Sequence, residues 1–248
     1  MDYHRRYRFA PPAAGGLGIG PGAHIPPTVK ALIIANASVY LIEVLTGRYA
    51  LIAAFGLIPA RVENLEIWRV FTYQFLHGGV WHLAMNMLML WMFGSELEER
   101  WGRAFFLKYY FLCAVGGGLV YTLVRHGTLT PSVGASGAIY GILMAYALWF
   151  PSRQVYIWFL FPINVRFLVI FLIAIEFIQA VEQTGTGIAH AAHFGGMAFG
   201  YFYLRWWRGR GGGGVPSLGL KDLKRAWYRW QFRRLQRRRM GGRGPTLH

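Results

Sequence analysis

The chain has 248 residues, of which 55% are apolar, 17% aromatic and only 15% charged. Soluble domains carry about 25% charged residues, so this composition excludes an ordinary soluble domain and points to a helical protein of the bilayer. A net charge of +16 raises nucleic acid as a partner, but the basic residues crowd the two ends and flank apolar runs, which suits an anionic inner leaflet instead, and no nucleic-acid partner is expected.

In chain order, residues 1–28 are basic and then rich in Gly, Pro and Ala. They lack the apolar core of a signal peptide and read as a cytoplasmic tail. A hydrocarbon core about 30 Å thick needs about 20 mostly apolar residues per helix. Six stretches qualify, near 29–45, 81–93, 104–124, 136–150, 167–181 and 189–206, of which the second and fourth are short. The implied fold class is all-α, a polytopic membrane bundle of six transmembrane helices over 29–207. The connection 47–80 is too apolar for a solvated loop yet holds no clean span, and it is expected to lie partly embedded in the outer interface. Residues 208–248 form a basic cytoplasmic tail. Within it, 209–214 read as a flexible linker. Over 220–239, Leu220, Leu223, Trp227 and Trp230 recur at near-helical spacing among Lys and Arg, as in an amphipathic helix lying on anionic lipid.

The charges test this layout. With both termini inside, Arg5, Arg6, Arg8, the tail from Arg205 to Arg243, and the loops carrying Arg100, Arg103, Arg153 and Arg166 all share the inner side. Only Arg48, Arg61, Arg69 and Arg125 remain outside. The bias is strongly positive-inside and requires an even number of spans.

Polar residues inside apolar helices are expensive and call for individual explanation. Gly134-Ala135-Ser136-Gly137-Ala138-Ile139-Tyr140-Gly141 opens the fourth stretch. Read by itself, Ser136 is a helix cap and the glycines permit close packing. In the sixth, His193, Gly196 and Gly200 share a face, and Gly137 and Gly141 form a matching ridge of small residues. Backbones that approach so closely let an imidazole reach a short hydroxyl. On the second, His82 and Asn86 lie four residues apart and project together, as two donors able to stabilise an oxyanion or as a buried bonded pair. In the topology above, all these groups fall in the first turns of helices that start outside.

His82-x-x-x-Asn86, Gly134-Ala135-Ser136-Gly137 and Ala192-His193-Phe194-Gly195-Gly196 together resemble the rhomboid family of intramembrane proteases. The resemblance extends to Trp68-Arg69 in the long connection and to Gly94-x-x-x-Glu98-x-x-x-Gly102 after the second stretch, and covers roughly 29–206. It implies that Ser136 attacks the scissile carbonyl and His193 takes its proton, as a dyad with no third carboxylate. It further implies that Tyr140, packed on the His193 ring, and Gly134 support the dyad, and that His82, Asn86 and the Ser136 amide line the oxyanion hole. Trp68, Arg69 and Glu98 resemble structural motif residues, and Arg69 and Glu98, on opposite sides of the membrane, are not expected to pair. Substrates would be transmembrane segments of other proteins, cut near their outer ends, with no metal and no cofactor. A bacterial plasma membrane suits such a protein, with both termini cytoplasmic.

Other chemistries are disfavoured by counting. Asp2 and Asp222 are the only aspartates and both lie in tails, so an intramembrane aspartyl dyad is excluded. No His-Glu-x-x-His occurs, Ala138 stands where Gly-x-Ser-x-Gly needs its last glycine, and Cys113 is the only cysteine. His190 and His193 are three apart, but the sequence shows no third metal ligand beside them. Glu43 and Glu176 are the only carboxylates well inside the apolar stretches, and Glu176 is expected simply to hydrogen-bond within the bundle. The main rival is a rhomboid-like protein that binds transmembrane clients without cutting them. A transporter is disfavoured because no internal repeat is visible.

Overall fold

The computed structural model describes residues 25–157, 161–181 and 190–209. The tail before residue 25 and the amphipathic helix expected over 220–239 lie outside the described residues.

Helix α1 (Pro27–Thr46) starts on a proline, whose missing N–H costs nothing at a helix start. The next two amides, Thr28 and Val29, donate to Glu98 Oε1 and Oε2 at 2.9 and 2.8 Å. A carboxylate from a distant segment thus serves as the cap that α1 lacks locally.

The connection 47–80, which holds no clean span, folds into short helices: α2 (Arg48–Phe55), α3 (Pro59–Glu63), α4 (Arg69–Thr72) and a 3₁₀ turn, Tyr73–Phe75. Arg69 organises it. Its guanidinium is buried and donates to the Gly56 and Ala53 carbonyls at 2.8 and 2.7 Å, taking up the end of α2, while its Nε donates to Glu66 at 2.6 Å. The Arg69 bond holds the Glu66 carboxyl below its usual range. The Trp68 indole donates to Ala54 in the same place. Arg69 and Glu98 do not meet.

The second stretch is longer than its hydropathy suggests. Helix α5 (Val80–Met89) continues through a π-helical turn, Leu90–Gly94, into α6 (Ser95–Trp101) without a break. Ser95, Glu96, Glu98, Glu99 and Arg100 end the apolar run, but Glu and Arg are good helix formers and the backbone carries on. Helix α7 (Arg103–Val124), α8 (Ser136–Trp149), α9 (Val165–Val181) and α10 (His190–Gly209) follow. The all-α expectation needs one correction. Strands β1 (Gln154–Ile157) and β2 (Phe161–Asn164) form an antiparallel hairpin between α8 and α9, in register Gln154↔Asn164. Val155, Tyr156 and Ile157 favour a strand, but so short a run gives no clear periodic signal.

Helices α7, α8 and α10 form the closely packed centre, and α8 is buried along most of its length. A Cβ at Gly196 on α10 would overlap the Gly137 carbonyl oxygen on α8, so only glycine allows this approach. The Tyr109 hydroxyl of α7 donates to the Gly141 carbonyl at 2.7 Å, and Tyr73 reaches Ala114 at the same distance. Large apolar side chains point outward instead, among them Leu41, Val44 and Leu45 on α1, Leu123 on α7, and Ile170, Phe171 and Phe177 on α9. By length and composition α1 and α7 are long and apolar enough to cross a membrane, and the 14-residue α8 is shorter.

Candidate active site

Ser136 is the first residue of α8, and the cap position before it is Ala135. The serine hydroxyl is therefore not a helix cap. It lies 2.7 Å from Nε2 of His193 on α10. Two ties hold the chain before it. Ser132 exchanges backbone bonds with Leu57, and the Gly134 amide donates to the Tyr73 carbonyl at 3.0 Å. Gly134 has φ of +124°, a conformation in which a side chain is strained.

His82 on α5 closes over this turn. A Cβ at Gly134 would stand 2.7 and 2.9 Å from His82 Cε1 and Nε2, and 3.7 Å from Ser136 Oγ. His82 Nδ1 accepts from the Gly78 amide at 3.3 Å, which leaves Nε2 to carry the ring proton on the side of Ser136. The neighbouring His77, in the loop before α5, is pushed down to about 4, chiefly by burial. Its backbone N–H donates to Glu43 at 3.1 Å. Asn86 is buried, and its amide donates back to the His82 carbonyl at 2.8 Å. The structure therefore brings His82 to the serine but holds the Asn86 side chain on its own helix, with a second N–H still to spare.

Tyr140 lies one turn after Ser136 on the same face. Its ring stacks on that of His193, with centroids 4.2 Å apart and planes 7° from parallel. The resemblance implied a dyad with no third carboxylate, yet a carboxylate stands beside the imidazole. Glu176 on α9, only 4% exposed, places Oε1 3.0 Å from His193 Nδ1, and the Tyr140 hydroxyl donates to that same oxygen at 2.5 Å. Oε2 lies 2.5 Å from His190 Nδ1. Glu176 thus hydrogen-bonds within the bundle as expected, and its partners are Tyr140, His190 and His193. The available signal was its rarity as a carboxylate inside an apolar stretch.

The same contacts correct the statement that His190 and His193 lack a third ligand. Glu176, His190 and His193 offer ligand atoms within 4.8 Å of one another, the one group of this kind among the described residues. Two imidazoles and a carboxylate are a zinc-type donor set. Here both carboxylate oxygens have hydrogen-bond partners in the side chains around them.

Comparison with known proteins gives the family of the chain. The family model described as Rhomboid domain matches residues 64–209. Among similar proteins, RHOMBOID-like protein 12, mitochondrial, of Arabidopsis thaliana is 28% identical over 186 residues, covering 68% of this chain and 55% of that protein. Rhomboid protein 1, mitochondrial, of Saccharomyces cerevisiae is 30% identical over 195 residues, covering 73% and 56%. Rhomboid protease GluP of Bacillus subtilis is 33% identical over 184 residues, covering 71% and 34%. The chain spans about half the length of the first two. Because the matched domain takes up more than half of its residues, the chain belongs to the rhomboid family, and it is a membrane protein on that ground.

Proposed function

We propose that this chain is an intramembrane serine endopeptidase that cleaves transmembrane segments of other membrane proteins. The observation that carries the reading is the 2.7 Å approach of Ser136 Oγ to His193 Nε2 at the start of a buried helix. Family membership supports it, as does the name of the Bacillus subtilis relative, a rhomboid protease.

Ser136 Oγ attacks the scissile carbonyl as its proton passes to His193 Nε2. The resulting oxyanion lies at the start of α8, where the Ser136 amide is one of the first N–H groups of the helix and has no carbonyl before it to bond. His82 Nε2–H is the second donor, and the spare N–H of Asn86 supplies a third once its side chain turns from the His82 carbonyl. His193 then gives the proton to the leaving amine as the C–N bond breaks. Water attacks the acyl-Ser136 ester, passing its proton through His193 back to Ser136 Oγ. No metal or cofactor enters these steps.

The proposed membrane arrangement has six crossings: α1, α5 with α6, α7, α8, α9 and α10. The basic end with Arg100, Arg103, Arg153 and Arg166 faces inward with both termini, which is the cytoplasm if the membrane is a bacterial plasma membrane. Helices α2 to α4 lie in the outer interface, where exposed Tyr49, Leu65, Ile67 and Trp68 meet lipid headgroups. The basic tail binds anionic lipid on the inner side.

The test is cleavage of a transmembrane substrate by purified protein in detergent, compared with Ser136→Ala. Cleavage is expected to fall by at least about 10³-fold in the variant. A folded wild-type chain that binds the substrate without cutting it would favour client binding without catalysis.

A further inference from the structure

We propose that Glu176 is a positioning residue for His193, which it orients and whose charge it balances while the proton passes only between Ser136 and His193. The inference rests on the protease reading above.

Placing a carboxylate on an apolar helix is costly, and the usual remedy is a Lys or Arg partner. Among the described residues, none bonds to Glu176. Its partners are the Tyr140 hydroxyl at 2.5 Å and the Nδ1 atoms of His190 and His193 at 2.5 and 3.0 Å. All three come from side chains able to exchange protons, and none from backbone. Such an arrangement is wasteful for a purely structural tie, which a backbone amide or a neutral amide side chain would serve at lower cost.

It has a direct consequence for His193. A ring nitrogen 3.0 Å from a carboxylate oxygen carries the proton, so Nδ1 is the donor and Nε2 keeps its lone pair. That lone pair faces Ser136 Oγ at 2.7 Å, the tautomer a general base requires. When Nε2 accepts the serine proton, the ring becomes a cation whose counter-ion is already in place. These side chains are largely buried, where that attraction is least screened. Glu176 itself takes no proton and forms no bond to substrate.

Two neighbours fix the carboxylate. Tyr140 donates to Oε1, the oxygen that faces His193, while its ring stacks on the imidazole. His190 holds Oε2, so the carboxylate cannot turn away about its last bond. Both histidine side chains are 13% exposed and Glu176 is 5% exposed, so water competes little for these bonds. Helix α9 thereby contributes Glu176 to the site, with Tyr140 and His193 supplied by α8 and α10.

The experiment compares Glu176→Gln, Glu176→Asp and Ser136→Ala with the wild type in detergent. The readouts are kcat and KM on a transmembrane substrate and the rate of labelling by a fluorophosphonate, which reports serine nucleophilicity alone. Glu176→Gln keeps the shape and removes the charge. It is expected to lower kcat and the labelling rate together by about 10²- to 10⁴-fold, with KM changed by less than about threefold. Glu176→Asp keeps the charge on a shorter stem and is expected to recover part of that loss. Rates are referred to folded protein, measured from the thermal transition in detergent. If Glu176→Gln proves too unstable, the ratio of Glu176→Asp to Glu176→Ala decides, since charge rescue is expected only for a carboxylate that acts on His193. The inference is overturned if kcat stays within about threefold of wild type in the Gln variant, or if Asp and Ala are equal, while Ser136→Ala is inactive. A wild type that neither cleaves nor labels would instead remove the protease reading.

Discussion

Glu98 and Glu176 are equally buried, 3% and 4% exposed, yet they belong to two regions that use a carboxylate in opposite ways. Glu98, on α6 at the basic end, accepts the amides of Thr28 and Val29. Those donors are backbone groups that never release a proton under ordinary conditions, and their positions are fixed by the helix they start. Glu176, in the serine-bearing region of the bundle, accepts from a phenol and faces two imidazoles. Burial alone therefore does not separate a structural carboxylate from a chemical one. The type of donor does, because only side chains with accessible protonation states can take part in proton transfer.

The largest expected effect breaks the region around Ser136 without touching a polar group. Gly196→Val places a branched side chain where a single Cβ would already overlap the Gly137 carbonyl oxygen, so α8 and α10 must separate. The Ser136–His193 contact bridges those helices and is lost with the separation. Cleavage and fluorophosphonate labelling are expected to fall below detection, with stability lowered by about 1–3 kcal/mol from overpacking. A Gly196→Val protein that labels at the wild-type rate would show that something other than this close approach sets the serine–histidine distance.

The two regions also differed in how far the sequence revealed them. Ser136 and His193 could be placed together because Gly137 and Gly141 on one helix and Gly196 and Gly200 on the other form matching ridges that allow close approach, whereas Tyr140 was placed only by the family resemblance. The sidedness of the charges likewise separated Arg69 from Glu98. The actual partners of both were hidden. A carboxylate that caps a helix 70 residues away leaves no local pattern, and neither does a guanidinium that bonds the carbonyls of Ala53 and Gly56. Glu176 was noticed only as a costly residue. Its neighbours along α9, Ile175 and Phe177, form no motif, and its role arises from the packing of α9 against α8 and α10. The helix of 81–93 was cut short because hydropathy reads polarity, while Ser95–Trp101 continues the helix with polar residues.

Next in size is the effect that isolates the basic end. Glu98→Ala leaves the Thr28 and Val29 amides without acceptors at the start of α1. Stability is expected to fall by about 1–3 kcal/mol, seen as a lower thermal midpoint in detergent. The turnover per fluorophosphonate-labelled site is expected to stay at the wild-type level. A drop in turnover per labelled site would mean that the two regions are coupled and that the contrast between structural and chemical carboxylates is too sharp.

The smallest effect tests the finest feature of the cluster around Glu176. Tyr140→Phe keeps the ring that stacks 4.2 Å from His193 and deletes only the hydroxyl that donates to Glu176 Oε1. One hydrogen bond of this kind is worth about 0.5–1.5 kcal/mol, so kcat is expected to fall by roughly 2- to 10-fold with KM unchanged. The loss should be well below that of Glu176→Gln, because the carboxylate remains and His190 still holds its other oxygen. Equal losses in the two variants would mean that Glu176 acts on His193 only through the tyrosine. In that case the ring stack and its hydroxyl, rather than the carboxylate facing Nδ1, would set the imidazole for its proton.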